Sequence, residues 1–282
     1  VGFEERCREF SRYLKPKLDK AENLLISNKI FIERTANIGV LPLNLAINYG
    51  ITGPMLRGSG LRFDLRKVDG YSVYPELDFD IPITDDEVEA AKLAVVEANN
   101  IVDGYVRAFC WRGSEMMAIS AQQTTTHVAI AAWEWPSYFG DEAREKGISL
   151  MTSKWRAPMP DTATTNSKAA GLYATHTMSK HAAEAKGYTD ALMLDYRGLV
   201  AECTGANIFM VKDGAIKTPD PDCFLDGLTR QTVIKLAKDQ GIEVDVCQIE
   251  LDELKTADEI FVTGTAAEIT AIGKIDDTDF TV

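Results

Sequence analysis

Histidine is scarce in this chain of 282 residues, with three in all: His127, His176 and His181. The five cysteines, Cys7, Cys110, Cys203, Cys223 and Cys247, are scattered and form no CxxC pair. These two shortages leave a zinc site without a ligand set and point to a reducing, cytoplasmic setting with no metal. No apolar run is long enough to cross a bilayer, and no signal peptide is visible. Positive charge is in deficit: 30 Lys+Arg against 43 Asp+Glu give −13 at pH 7, which argues against a nucleic-acid partner. The glycine spacings match neither a phosphate loop nor a dinucleotide fingerprint. The chain opens on Val1 rather than Met and stops at "GKIDDTDFTV" without an obvious terminal element, so a fragment at both ends is expected.

What is present reads as a soluble globular protein of one or two domains, 45% hydrophobic and 26% charged. The charge is uneven, near +1 over residues 1–82 and −14 over the remainder. The shift falls at "DFDIPITDDEVEAA", where Thr84 and Glu87 form a capping-box pattern. The helix they open has Val88, Ala91, Val95 and Ala98 at helical spacing, and a domain seam is placed near residue 82. Ahead of it, a charged helical segment leads into a glycine-punctuated loop. There Gly50, Gly53, Gly58 and Gly60 stand with Arg57, Arg62 and Arg66, either as a tight arginine-anchored turn or as an anion nest.

Beyond the seam, "DGYVRAFCWRG", "THVAIAAWEWPSYFG" and "GISLMTSKWRAP" read as strands. A helix is expected from just after Lys168 to Gly187, a glycine suited to a left-handed helix end. A strand ladder follows: "DALMLDY", a turn at Arg197-Gly198, "LVAECTGANIFMVK", a hairpin turn at Asp213-Gly214, and "AIKTP".

Chemistry enters at "TTNSKAAGLY". Lys168 stands among small residues with nothing else ionisable between Asp161 and Tyr173. It reads either as a solvated lysine ahead of a helix or as a desolvated amine with a lowered pKa, able to act as nucleophile or base. Glu202 lies in an otherwise apolar or small strand, where a carboxylate needs a cation or proton donor. Gly227-Leu228-Thr229 stand at the mouth of a helix running to about Gln240, whose free N–H groups suit a phosphate. A small-residue turn, Thr263 to Ala267, follows a buried strand. Each signal alone is common, since any helix start can meet an anion and strand glutamates are usually exposed. Together they fit pyridoxal 5′-phosphate, which needs a lysine for its aldehyde, a carboxylate for its ring nitrogen and helix-end N–H groups for its phosphate. Tyr173 is placed to bind the ring's phenolic oxygen.

Two resemblances are carried by longer stretches. "FIERTANIGVLP", "YGITGPMLRGSGLRFDLRK" and "YSVYPELDFDIP" closely resemble a slice of the quinone-side subunit of NADH-quinone oxidoreductase (complex I) over residues 1–82. "NSKAAGLY", "LVAECTGANIFMVKDGAIKTP", "GLTRQTVIKLAKDQGIEV" and "DEIFVTGTAAEITAI" resemble the branched-chain-amino-acid aminotransferases of the fold-type-IV pyridoxal-phosphate class, from about residue 83 onward. The second resemblance implies that Lys168 binds the aldehyde and carries the proton, Glu202 meets the ring nitrogen and Tyr173 the ring oxygen. Leu228, Thr229 and Thr265 would hold the phosphate. It implies Tyr105 and Arg107 of "YVRAF" on the substrate side and Tyr138 of "PSYFG" in the side-chain pocket. The backbone at Thr265 and Ala266 would take the substrate carboxylate. The implied reaction is ping-pong transamination of branched-chain L-amino acids with 2-oxoglutarate, and the implied assembly is a homo-oligomer. A neutral Lys168 is required for the proton step, as its uncharged sequence neighbours would allow.

The expected fold is α+β: a pyridoxal-phosphate-binding large domain over 141–282, truncated at its end, a remnant of a small domain over 83–140, and the complex-I-like segment over 1–82. Ala108 stands where the resembled family has proline after "YxR". Two alternatives remain open from the residues: a subunit-interaction module related to complex I, or another fold-type-IV enzyme such as a D-amino-acid aminotransferase or an aminodeoxychorismate lyase.

Overall fold

The computed structural model describes residues 50–52, 77, 80–116, 119–135, 138–140 and 142–282. The arginine-anchored glycine turn expected at residues 53–66, and most of the complex-I-like segment, lie outside the described residues. Gly50–Thr52, expected in a loop, instead forms a short strand, β1, antiparallel to β2 (Tyr105–Arg112). Glycine lowers strand propensity without preventing an edge strand from sharing backbone hydrogen bonds.

The expected capped helix is α1, Asp85–Ala98. Glu87 N–H donates to Thr84 Oγ1 at 3.3 Å and Thr84 N–H donates to Glu87 Oε2 at 2.7 Å, which satisfies two end donors reciprocally. Its inner face is narrower than the spacing predicts: Val88 and the stem of Lys92 are buried, Ala91 and Val95 half-buried, and Ala98 exposed. α1 packs on β2 and on β3, Thr126–Trp133, which pair antiparallel from Tyr105↔Trp133 to Arg112↔Thr126. Strand alternation then divides β2 between two tasks. Val106, Ala108 and Cys110 are buried, Ala108 against Val88, while Tyr105 and Arg107 face a cavity.

After a short helix, α2 (Glu142–Lys146), the chain builds a nine-stranded mixed sheet. Its strands are β4 (Ile148–Ala157), β5 (Asp190–Asp195), β6 (Val200–Cys203), β7 (Asn207–Lys212), β8 (Ala215–Pro219), β9 (Val244–Cys247), β10 (Glu259–Gly264), β11 (Glu268–Ile275) and β12 (Thr278–Asp279). Because β10 pairs with both β11 and β7, the order β7-β10-β11-β4-β5-β6 closes on itself, with β8 and β9 extending from β7. The ring's strands alternate large apolar side chains into one core: Ile148 and Leu150, Leu192 and Leu194, Ile208 and Met210, Ile260 and Val262. On the other face Phe209 and Phe261 stack with centroids 4.9 Å apart.

The stretch "LVAECTGANIFMVK", read as one strand, is two. The chain reverses at Thr204-Gly205-Ala206, where Cys203 N–H donates to Ala206 O at 2.8 Å, and β6 and β7 pair antiparallel through Glu202↔Asn207. The parallel pair β4/β5 requires a crossover, supplied by the Lys168 loop, a single 3₁₀ turn (Ala170–Leu172) and α3, Tyr173–Glu184. α3 ends as expected at Gly187, φ +84°: Tyr188 N–H reaches Ala183 O and Gly187 N–H reaches Glu184 O, both at 3.0 Å. A second crossover, α4 (Leu228–Asp239), joins the parallel pair β8/β9, and a short helix, α5 (Leu251–Leu254), precedes β10.

Candidate active site

The ring, both crossovers and the small sheet surround one cavity of about 450 Å³. Every residue named for the pyridoxal-phosphate and substrate roles lines it. Lys168 and Tyr173 come from the first crossover, Glu202 from β6, Leu228 and Thr229 from the mouth of α4, and Thr265 and Ala266 from the β10–β11 turn. Tyr105 and Arg107 come from β2, and Tyr138 from the segment after β3.

Lys168 Nζ donates to the Tyr173 hydroxyl at 2.8 Å. Burial works to lower the pKa of this ammonium. The Tyr173 oxygen, through charge and hydrogen bond, and then Tyr105 and Glu202 more than offset that, and the amine is held above its usual range. The uncharged setting expected from the sequence neighbours therefore does not describe the free cavity. Of the groups that raise it, Tyr173 stands five residues away on the same crossover, and Tyr105 and Glu202 arrive from other strands.

Glu202 is half-buried, and its Oε1 lies 3.1 Å from His176 Nε2. Here is the partner its apolar strand called for, on a residue whose scarcity bears in the sequence only on metal binding. The available signal is helical spacing: His176, Ser179 and Ala183 form the buried stripe of α3. His176 Nδ1 contacts Leu172 O at 2.8 Å. Burial alone would lower the imidazole pKa, but the hydrogen bond and charge of Glu202, the Leu172 carbonyl and Asp190 raise it.

The mouth of α4 is open. Its N-cap, Gly227, makes no side-chain cap, and Gly227, Leu228 and Thr229 at this helix start line the cavity. Asn207 holds this mouth in place, although nothing in its own strand singles it out. It accepts from Gly227 N–H at 3.2 Å and donates to Leu225 O at 2.9 Å. A Cβ at Gly227 would stand 2.5 Å from Asn207 Oδ1, so a larger residue there would have to displace the Asn207 amide. Below it Arg230, 2% exposed, ties α4 to β8 by donating to Thr218 Oγ1 at 3.2 Å and to Pro219 O at 2.9 Å, and it pairs with Asp226.

On the opposite wall Arg107 lies over the rings of Tyr105 (5.6 Å) and Trp133 (5.7 Å). Its Nε is buried without a hydrogen-bond partner among the described residues, as is Thr263 Oγ1 on the β10 side. Both atoms belong to residues lining the cavity, and such orphans fit a wall built around a polar ligand. Trp135 joins Tyr105 and Tyr138, with centroids at 5.4 and 5.5 Å, into an aromatic flank. Burial, then Asp190 and Glu184, push the Tyr138 phenol up, so it stays a neutral donor. The arrangement can hold a flat ligand with an anionic end at α4 and a basic ring atom at Glu202, and can present an amine to it.

Next to the cavity, which Cys223 also lines, Asp195, Asp222 and Cys223 bring potential metal-ligand atoms within 4.8 Å of one another. Arg197 already fills that position, with ion pairs of 2.7 and 2.8 Å to Asp195 and Asp222. No helix among the described residues is long and apolar enough to cross a membrane.

Known proteins resemble the chain in two parts. The family model for amino-transferase class IV matches residues 76–275, and that for the respiratory-chain NADH dehydrogenase 49 kDa subunit matches residues 1–103. A probable branched-chain-amino-acid aminotransferase of Rickettsia conorii is 44% identical over 196 residues, covering 70% of this chain and 66% of that protein. The chain thus spans just under two thirds of that relative's length. An NADH-quinone oxidoreductase subunit of Cytophaga hutchinsonii is 78% identical over 83 residues, 29% of this chain and 21% of that one. Among solved structures, the branched-chain amino acid aminotransferase of Escherichia coli superposes with a TM-score of 0.71 at 36% identity, covering 73% of this chain and 69% of that one. With the ring, both crossovers and the cavity all inside residues 76–275, the chain belongs to the class IV aminotransferase family and has its fold, preceded by a segment similar to the 49 kDa subunit of complex I.

Proposed function

We propose that this chain binds pyridoxal 5′-phosphate and exchanges the amino group of leucine, isoleucine or valine for the oxo group of 2-oxoglutarate. The observation that carries this reading is the single cavity in which Lys168, Tyr173, Glu202 and the open mouth of α4 converge. The donor set fits the cofactor at each end. A carboxylate waits for a basic ring nitrogen, helix N–H groups for a phosphate, and an amine for an aldehyde. The similarity to branched-chain enzymes over most of the chain supports the substrate class.

When bound, the cofactor supplies an aldehyde for amine exchange and a ring that draws electrons from the substrate Cα. The protein does the rest. Leu228 and Thr229 N–H groups with Thr265 hold the phosphate, and Glu202 keeps the ring nitrogen protonated. Tyr173 binds the ring oxygen. Lys168 would hold the aldehyde end of the cofactor, and its amine, in the neutral form, would serve as the base that carries a proton from the substrate Cα. Arg107 and Tyr105 face the substrate's polar end, as do the Thr265 and Ala266 backbone groups. Trp135 and Tyr138 exclude water from an aliphatic side chain. Small-molecule amino and 2-oxo acids, a homo-oligomer and the cytoplasm belong to the same reading. So does a division into a complex-I-like segment over 1–82, a small-domain remnant over 83–140 and a large domain over 141–282.

The test is to add pyridoxal phosphate to the full chain, fix the bound cofactor with borohydride and map the modified peptide by mass spectrometry. Label on Lys168 that vanishes in Lys168→Ala supports the site. Turnover of leucine with 2-oxoglutarate, faster than of D-alanine, supports the substrate class. Absence of label from the parent chain refutes the reading.

A further inference from the structure

We propose that His176 is the positioning residue of Glu202: its imidazolium holds one carboxylate oxygen and leaves the other for the ring nitrogen of the cofactor. This rests on the reading of the cavity as a pyridoxal-phosphate site. The geometry fixes the protons first. Leu172 O, 2.8 Å from His176 Nδ1, is a carbonyl and can only accept, so Nδ1 carries a hydrogen. His176 Nε2 and Glu202 Oε1, 3.1 Å apart, therefore share one further proton. On the histidine, it makes an ion pair; on the glutamate, it leaves a neutral pair. Imidazole is the stronger base, so the ion pair is the resting form. The two side chains are 10% and 14% exposed, enough burial to make a lone charge on either costly and to bind them to one another.

The other carboxylate oxygen, Oε2, has no hydrogen-bond partner among the described residues, and Glu202 lines the cavity. His176, which lines the same cavity, holds one oxygen, and the other is left for a ligand. The surroundings keep the pair polarised. From β5, the charge of Asp190 favours the protonated imidazole. Lys180, one turn further along α3, lies 3.8 Å from Asp190 and moderates that effect. The Tyr173 ring centroid is 5.5 Å from the imidazole, with Lys168 bonded to its hydroxyl. The buried Cys203 thiol beside Glu202 on β6 is pushed up by burial and stays neutral. The pair thus puts a titratable proton two hydrogen bonds from the cofactor's ring nitrogen, linking the pH response of the cofactor's absorption to a residue on α3.

The experiment has two arms on the full chain. In the ligand-free chain, imidazole nitrogen resonances should show His176 protonated on Nδ1 throughout and titrating above the usual range. Glu202→Gln should bring that titration down. In the cofactor arm, His176→Leu should weaken pyridoxal phosphate binding by about tenfold, the size of one hydrogen bond to a charged group. His176→Gln, which still donates at the Nε2 position, should restore affinity but remove one step from the pH titration of the visible band. A His176→Leu chain with unchanged affinity and band profile overturns the proposal, as does a His176 resonance unmoved by Glu202→Gln. Should His176→Leu fail to fold, a His176→Gln chain that keeps the pH step overturns it equally. If the parent chain binds no cofactor, the proposed function fails, while the imidazole arm still judges the pair.

Discussion

The two walls of the cavity are built from unequal material. The ring side rests on side chains such as Ile148, Leu150, Leu192 and Ile260, each 1% exposed or less, and its strands close on themselves through β7 and β10. Among the described residues, the small sheet's inner face packs through Val88 and Ala108, with Ile83 and Ile130 around them. The chemistry follows the same division. Lys168, Glu202, His176 and the α4 mouth, whose protons and dipoles must be held in fixed positions, sit on the heavily packed side. Tyr105 and Arg107, which line the cavity and which the proposed function sets on the substrate side, sit on the more lightly packed one. A densely packed core enforces geometry, whereas a thin layer leaves room for adjustment.

The sharpest break is Lys168→Ala, which should abolish borohydride-fixed label altogether while leaving the circular dichroism of the ring unchanged. Next in size is a contrast in stability. Leu192→Ala, at a fully buried ring position, should cost about 2–5 kcal/mol in denaturant unfolding. Val88→Ala, under the small sheet, should cost about 1–2 kcal/mol. If Val88→Ala proved the more damaging, the division between the walls would not hold. Gly227→Ala would push a methyl group against Asn207 Oδ1 and distort the α4 mouth, and cofactor affinity should fall by about tenfold with little change in Tm. A smaller effect is expected from pH. His176 has a folded-state pKa above its ordinary 6.5, so its contribution to stability is complete below that value and is lost as pH rises through the folded-state pKa. The thermal midpoint should drop across that window, and Glu202→Gln should flatten the drop. Smallest is Thr84→Ala, which removes the capping box of α1 at about 1 kcal/mol and should be visible as faster amide exchange in its first turn.

Local structure was legible wherever one rule governed it. The Thr84/Glu87 box, the Asp213-Gly214 turn with both residues at positive φ, and the glycine end of α3 all follow from chemistry within a few residues. The reading of "LVAECTGANIFMVK" as one strand failed because Gly205 in a run of small residues does not announce a reversal without its partner strand. The site was partly legible for the same reason. Lys168, Glu202 and Gly227 each break a local pattern, whereas Asn207 and His176 look ordinary in their own segments and matter only through what lies across from them.

By itself the sequence determined the candidate groups, their order along the chain and the helices and turns that present them, because helical spacing, capping and turn chemistry act over a few residues. The tertiary structure alone decided which groups meet. It closed the ring, set His176 against Glu202 at 3.1 Å, and brought Tyr105 and Glu202 to the Lys168–Tyr173 pair, so that the amine is held above its usual range rather than below it. Charge acts through space, and the groups that govern these protons stand on separate strands and helices.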